Sequence, residues 1–280
     1  MRLQVFRHLW GVSDSWEQSF PRFQSRGYAG IEAVLPRAAE AGRFRRLLGR
    51  HGFQFIAQIV TRGATVREHI TSFRQQVRAA STWQPVVINT HSGSDAWSDS
   101  EASAYFSEVL RVERDIRCPV AHETHRGRLL FHPLQTRRLV EEFPDLKLCC
   151  DFSHWVCVCE RLLEDQRPTI ALCAERAWHV HARVGYPQGP QVPDPRAAEY
   201  AGALAAHEDW WRLIWQAQRE RGMDTSTMTP EFGPPDYLHT LPFTRQAVAN
   251  LEDICDWQAQ RQTMNFRNVI ASRIRRKRPV

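Results

Sequence analysis

Apolar runs bounded by turn residues recur along the chain, at residues 3–10, 30–35, 53–60, 85–91, 119–123, 146–151, 178–183 and 227–232. Most of them are spaced by roughly 25 to 35 residues, the length of one strand, one helix and two short loops. Between them, apolar positions at helical spacing predict helices over 14–26, 37–51, 65–80, 98–117, 133–143, 168–176, 205–221 and 244–260. Eight strand–helix units predict an α/β chain closed into a single (β/α)8 TIM barrel.

One interval is longer than the rest. After the seventh strand, Pro187, Gly189, Pro190, Pro193 and Pro195 crowd residues 184–195, which predicts an extended loop. It falls on the face where barrels build their active sites, so its expected role is a lid or substrate wall.

Composition narrows the reading. The 280 residues suit one barrel domain, expected over 1–265, with a basic C-terminal tail over 266–280. Arg273, Arg275, Arg276, Lys277 and Arg278 supply five positive charges, and without them the formal charge falls from +6 to +1. A near-neutral body argues against nucleic acid as partner. Charges early in residues 1–11 argue against a signal or membrane segment, and the expected location is the cytoplasm. The seven cysteines are an odd set. Cys149 and Cys150 are adjacent in a predicted strand and point to opposite faces, which favours buried reduced thiols over a zinc cluster.

Parity along the strands points to the candidate chemistry. His179, His181 and Arg183 share one face, as do Cys149 with Asp151, Ala121 with Glu123, and Thr229 with Glu231. Earlier strands add His8, Glu32, Gln58, Asn89 and His91. Barrel interiors are ordinarily packed with apolar layers, so polar residues at so many C-terminal strand ends indicate a site. Glu123, Asp151, His181 and Glu231 bring three carboxylates and an imidazole together. Converging carboxylates repel unless a cation compensates them, which predicts one divalent metal. The oxygen-rich set suits manganese or magnesium, with cobalt or zinc as alternatives.

Further candidates surround this set. Arg183, two residues beyond His181 on its face, is a candidate for binding a substrate carboxylate or phosphate. His8, His91 and Trp10 are candidate substrate contacts, Trp97 and Trp155 candidate stacking surfaces, and His125 and Arg126 candidate supports behind Glu123. Trp210 and Trp211 are candidates for a homo-oligomer contact.

In Gly27–Glu32, Asn89–Gly93, His122–Thr124, Asp151–His154, His179–His181 and Pro230–Gly233 the chain resembles the xylose isomerase-like, or sugar phosphate isomerase/epimerase, barrels, which include the endonuclease IV type. The resemblance implies Glu123, Asp151, His181 and Glu231 as ligands of one catalytic metal. It implies that His154 orients a substrate hydroxyl or binds an additional metal.

Such a site supports proton abstraction beside a carbonyl, with a metal-stabilised enediolate and Glu123 and Glu231 as the proton-transfer pair. The expected activity is isomerisation or epimerisation of a small carbohydrate, a sugar-like polyol or a keto acid. The alternatives are a sugar or inosose dehydratase, an endonuclease IV-like DNA-repair nuclease and a non-catalytic sugar-binding barrel. The nuclease lacks histidines where that type carries them, at Gln58 or Val60 and at Arg196. A Schiff-base aldolase is disfavoured because the only lysines are Lys147, at a strand start, and Lys277. No glycine-rich phosphate loop or activated nucleophile is present, so no cofactor beyond a metal is implied.

Overall fold

The computed structural model describes residues 1–274. Its strands are β1 (Arg2–His8), β2 (Gly30–Val34), β3 (Gln54–Val60), β4 (Val87–His91), β5 (Val120–Glu123), β6 (Leu148–Cys150), β7 (Ala177–His181) and β8 (Thr225–Thr229). All pair in parallel, and β8 closes onto β1. The helices are α1 (Trp16–Ser25), α2 (Ala38–His51), α3 (Val66–Ser81), α4 (Asp99–Glu113), α5 (Pro133–Glu142), α6 (Ser153–Cys159), α7 (Arg167–Arg176), α8 (Ala201–Glu220) and α9 (Leu251–Ile274). The predicted barrel is therefore the observed fold. No helix among the described residues is long and apolar enough to cross a membrane.

Local chemistry accounts for most boundaries. Thr65 with Glu68, and Ser98 with Glu101, form reciprocal capping boxes that start α3 and α4. Helix α2 stops at Gly52, whose φ of 64° is the left-handed conformation favoured by glycine.

Two helices differ from expectation. Helix α6 has seven residues, too few to show a period, and the Asp151 side chain accepts the Ser153 N–H at its start at 3.0 Å. Helix α9 starts at Leu251 instead of residue 244, because positive φ at Phe243 and Arg245 turns the chain first. Asn250 Oδ1 then caps it, accepting from the N–H groups of Glu252 and Asp253 at 2.9 and 3.1 Å. The boundary expected at residue 265 falls inside this helix, where Phe266 is buried against Trp215. Residues 275–280 of the expected tail lie outside the described residues.

The interior is layered. Phe6, Ile56, Val87, Ala121 and Cys149 form an apolar plug at the N-terminal end. Above it, Glu32, Asn89, His179 and Thr229 make a buried polar layer, and the site opens above that. In β6 the side chains alternate, with Cys149 in the plug and Cys150 packed outward against the helices. His122, next to Glu123, also points outward, bonding Ser92 and Glu113 at 2.7 Å each.

The longer predicted strands β6 to β8 stop early, so Asp151, Arg183 and Glu231 lie just past their ends. The Thr124 hydroxyl takes over from the ladder there: it donates to the Asp151 carbonyl and accepts the Asp151 N–H, each at 2.8 Å.

Three tryptophan expectations are corrected. Trp210 and Trp211 are buried, Trp210 against Phe152 and His207, so they offer no surface to a second copy. Trp155 is fully buried, with its indole N–H on the Leu130 carbonyl at 2.9 Å. Trp97 packs on His69 and Tyr105.

Candidate metal centre

A cavity of about 410 Å³ opens at the C-terminal end of the barrel, with His8, Trp10, His91, Arg183, Glu231 and Tyr237 among its walls. Glu231 in its wall belongs to a buried group: Glu123, Asp151, His181 and Glu231 each offer a ligand atom, and these atoms lie within 4.8 Å of one another. All four side chains are buried.

The two oxygens of Glu123 differ. Oε2 accepts from Asn89 at 2.7 Å and faces His91 Nε2 at 2.8 Å. Oε1 is buried and has no hydrogen-bond partner. Burial pushes this carboxyl towards protonation, but His91 and His181 outweigh it and hold Glu123 well below the usual carboxylate range.

His181 is fixed from below. Its Nε2 lies 3.0 Å from Glu32 Oε1, and its Nδ1 faces Glu231 Oε2 at 2.8 Å and Glu123 Oε1 at 3.6 Å. Burial disfavours its cation, but Cys149 and the carboxylates of Glu231, Glu32 and Glu123 draw its pKa well up. Glu32 is itself anchored: Oε2 accepts from Thr229 at 2.5 Å and lies 3.1 Å from His179 Nε2. Its burial is outweighed by His181 and His179, so it stays ionised. Glu32 was visible as a polar strand residue, but its role behind His181 required the closed barrel.

Asp151 is more fully engaged. Oδ1 accepts from the Ser153 amide at 3.0 Å and hydroxyl at 2.5 Å. Oδ2 pairs with Arg183 Nη2, which also reaches Glu231 Oε2 at 3.2 Å and His154 Nε2 at 2.9 Å. Burial raises the Asp151 pKa against the pull of Arg183. Arg183 therefore serves as an internal counter-ion for two of the acids.

Three histidine rings lie in a row beside the site. His125 lies between His91 and His154, with ring centroids 4.5 and 3.9 Å apart and the planes tilted by 32° and 45°. Burial, reinforced by His91, lowers His125 to about 3, and burial likewise lowers His8 and His154. His154 is fully buried. His8 and Trp10 are held together by the Trp10 N–H on His8 Nδ1 at 2.7 Å, and His8 Nε2 faces Glu231 Oε1 at 3.3 Å. Gln58 bridges His8 and His91 at 3.3 and 3.2 Å.

The donor set fits a divalent ion. Three carboxylates and one imidazole converge, while Glu123 Oε1 is an orphaned buried acceptor that an ion would satisfy. Glu123 is also shared with a second compact group, His91, Glu123 and His125. Cys149 lies beside His179 and His181, but burial holds its thiol protonated.

No protein-family model and no curated protein sequence matches the chain. Solved structures do. A xylose isomerase-like TIM-barrel protein from Mycobacterium smegmatis in complex with magnesium is 11% identical, with 95% of this chain and 97% of that one covered, at a TM-score of 0.63. A D-allulose 3-epimerase from Methylomonas sp. is 12% identical, covering 94% and 98%, at 0.60. A probable 3-DHS dehydratase involved in petrobactin synthesis, from Bacillus anthracis, is 15% identical, covering 93% and 98%, at 0.59. At such identities the likeness is one of fold: the chain shares the closed (β/α)8 barrel of these proteins.

Proposed function

We propose that this chain is a divalent-metal-dependent isomerase or epimerase of a small carbohydrate or a related polyol or keto acid. The observation that carries the reading is the convergence of Glu123, Asp151, His181 and Glu231 within 4.8 Å, with Glu231 reaching the wall of the cavity. These four would hold manganese or magnesium. A bound ion would polarise a substrate carbonyl and acidify the adjacent C–H.

The residues divide the remaining work. Glu123, held ionised by His91 and His181, is the base. Glu231, with His8 beside Oε1, returns the proton. Trp10 and His91 bound the sugar, and Arg183 holds Glu231 and Asp151 in place while facing the cavity. His154 supports Arg183 from behind. Whether the proton returns to a second carbon, returns to the opposite face or is followed by loss of a β-hydroxyl separates isomerase, epimerase and dehydratase.

Metal analysis of the purified protein, followed by deuterium incorporation into a panel of keto sugars, tests this. The wild type is expected to hold a divalent ion and to exchange an α-proton, and Glu123→Gln and Glu231→Gln to lose exchange. Unchanged metal content in Asp151→Ala would sink the reading.

A second reading, an endonuclease IV-like nuclease, is favoured by the His91, Glu123 and His125 group. Against it, Arg196 engages both carboxylate oxygens of Asp194, at 2.9 and 2.6 Å. Nicking of abasic-site DNA in the presence of zinc would support it.

A further inference from the structure

Outside the barrel, three buried polar side chains form a tie that the candidate centre does not include. His122 of β5 is fully buried. Its Nε2 faces Glu113 Oε1, at the end of α4, and its Nδ1 faces Ser92 Oγ, each at 2.7 Å. Phe73 lies nearly parallel to the imidazole, with centroids 6.0 Å apart and 18° between the planes, and Phe106 meets it edge-on at 5.1 Å. An apolar residue would pack there without needing partners, whereas a satisfied buried network fixes one geometry.

The tie spans a gap in the sheet. The β4–β5 register pairs Ile88 with Val120, Asn89 with Ala121 and Thr90 with His122, so His91 and Glu123 stand one step beyond it. Each of these two is paired on its other side, His91 with Val60 of β3 and Glu123 with Cys149 of β6. Between them, two side-chain bridges take the place of the ladder. Inside the barrel His91 Nε2 faces Glu123 Oε2 at 2.8 Å, and outside it their chain neighbours Ser92 and His122 meet at 2.7 Å. Neighbouring side chains alternate across a sheet, so an outer bridge that fixes the backbone of Ser92 and His122 also fixes where His91 and Glu123 project.

We infer that His122, with Ser92 and Glu113, is a positioning group for His91 and Glu123. It holds β4 and β5 at the spacing in which His91 engages Glu123 Oε2 while Glu123 Oε1 stays turned towards His181. Without the Ser92 hydroxyl, His122 Nδ1 loses its partner and the two strand ends are free to spread. The inference rests on the proposed function only through the metal, since the contact between His91 and Glu123 belongs to the protein alone.

The test compares wild type with Ser92→Ala, Glu113→Ala, Glu113→Gln and the control Val109→Ala, a buried position on α4 outside the tie. Crystal structures give the contact between His91 and Glu123, Mn²⁺ titration gives affinity and urea unfolding gives stability. Ser92→Ala and Glu113→Ala are expected to lengthen or break the contact and to weaken Mn²⁺ binding about 10-fold or more, the scale for groups behind metal ligands. Glu113→Gln keeps an acceptor for His122 and is expected to retain both. Val109→Ala is expected to lower stability alone. An unchanged contact in Ser92→Ala, or an equal loss of Mn²⁺ affinity in Val109→Ala, would overturn the inference. A wild type that binds no Mn²⁺ would instead overturn the proposed function, and the crystallographic contact would still decide the role of His122.

Discussion

Glu32 Oε1 lies 3.0 Å from His181 Nε2 across the barrel, joining β2 to β7 beneath the site. With Nε2–H committed to Glu32, Nδ1 is the atom aimed at Glu123 and Glu231. This is the arrangement in which a carboxylate sets the tautomer and basicity of a metal-binding histidine. Glu32→Gln keeps the shape and removes the charge, so divalent-ion affinity is expected to fall by about 10- to 100-fold with the fold intact. Titration with Mn²⁺ checks this, and equal affinity in both proteins would show that Glu32 does not tune His181.

Asp151→Asn separates metal loss from structural damage. Removing the charge leaves Arg183 buried with only Glu231 to compensate it. We expect loss of bound metal together with about 3 kcal/mol of stability, the scale of a broken buried ion pair. Urea unfolding at neutral pH measures the second effect. A variant as stable as wild type would mean that Arg183 finds another acceptor.

Gly233 carries the pocket wall. A Cβ there would stand 2.2 Å from the Trp10 ring. The backbone cannot easily retreat, because Gln191 accepts its N–H at 2.7 Å and donates to its carbonyl at 3.1 Å. Gly233→Ala is therefore expected to displace Trp10 at a cost of about 1–3 kcal/mol, as in other overpacked sites. Tryptophan fluorescence and thermal unfolding should both shift, with weaker ligand binding. An unmoved emission spectrum would count against the contact.

His207 predicts acid sensitivity in the loop after β7. Its Nε2 accepts the Gly185 N–H at 3.2 Å, and its Nδ1–H donates to the Ala203 carbonyl at 2.8 Å. Burial lowers its pKa from 6.5 to about 4, so the folded state keeps it neutral where the unfolded chain binds a proton. Its contribution is complete above pH ~6.5, falls as pH drops through the window down to about 4, and reaches a loss of about 3 kcal/mol below that. His207→Gln is expected to flatten the stability–pH curve in this window. An identical slope in both proteins would rule out His207 as the source.

Periodicity along the chain determined the eight strands, most of the helices and the closed barrel, because strand and helix repeats are local properties of the side-chain pattern. Parity also determined which residues face inward. It put Asp151 on the face of Cys149, and Glu123 opposite the outward His122, since neighbours in a strand must alternate. Short or irregular elements escaped: α6 begins on the side chain of Asp151, and α9 waits for the Asn250 cap. Closure of the barrel alone decided who meets whom. Glu32 reaches His181, and Arg183 Nη2 joins Asp151 to Glu231, across separations that no sequence spacing encodes. Burial decided charge. It made His125 and His154 neutral and left Arg183 Nη1 without an acceptor, since both depend on the solvent and partners that packing leaves around each group.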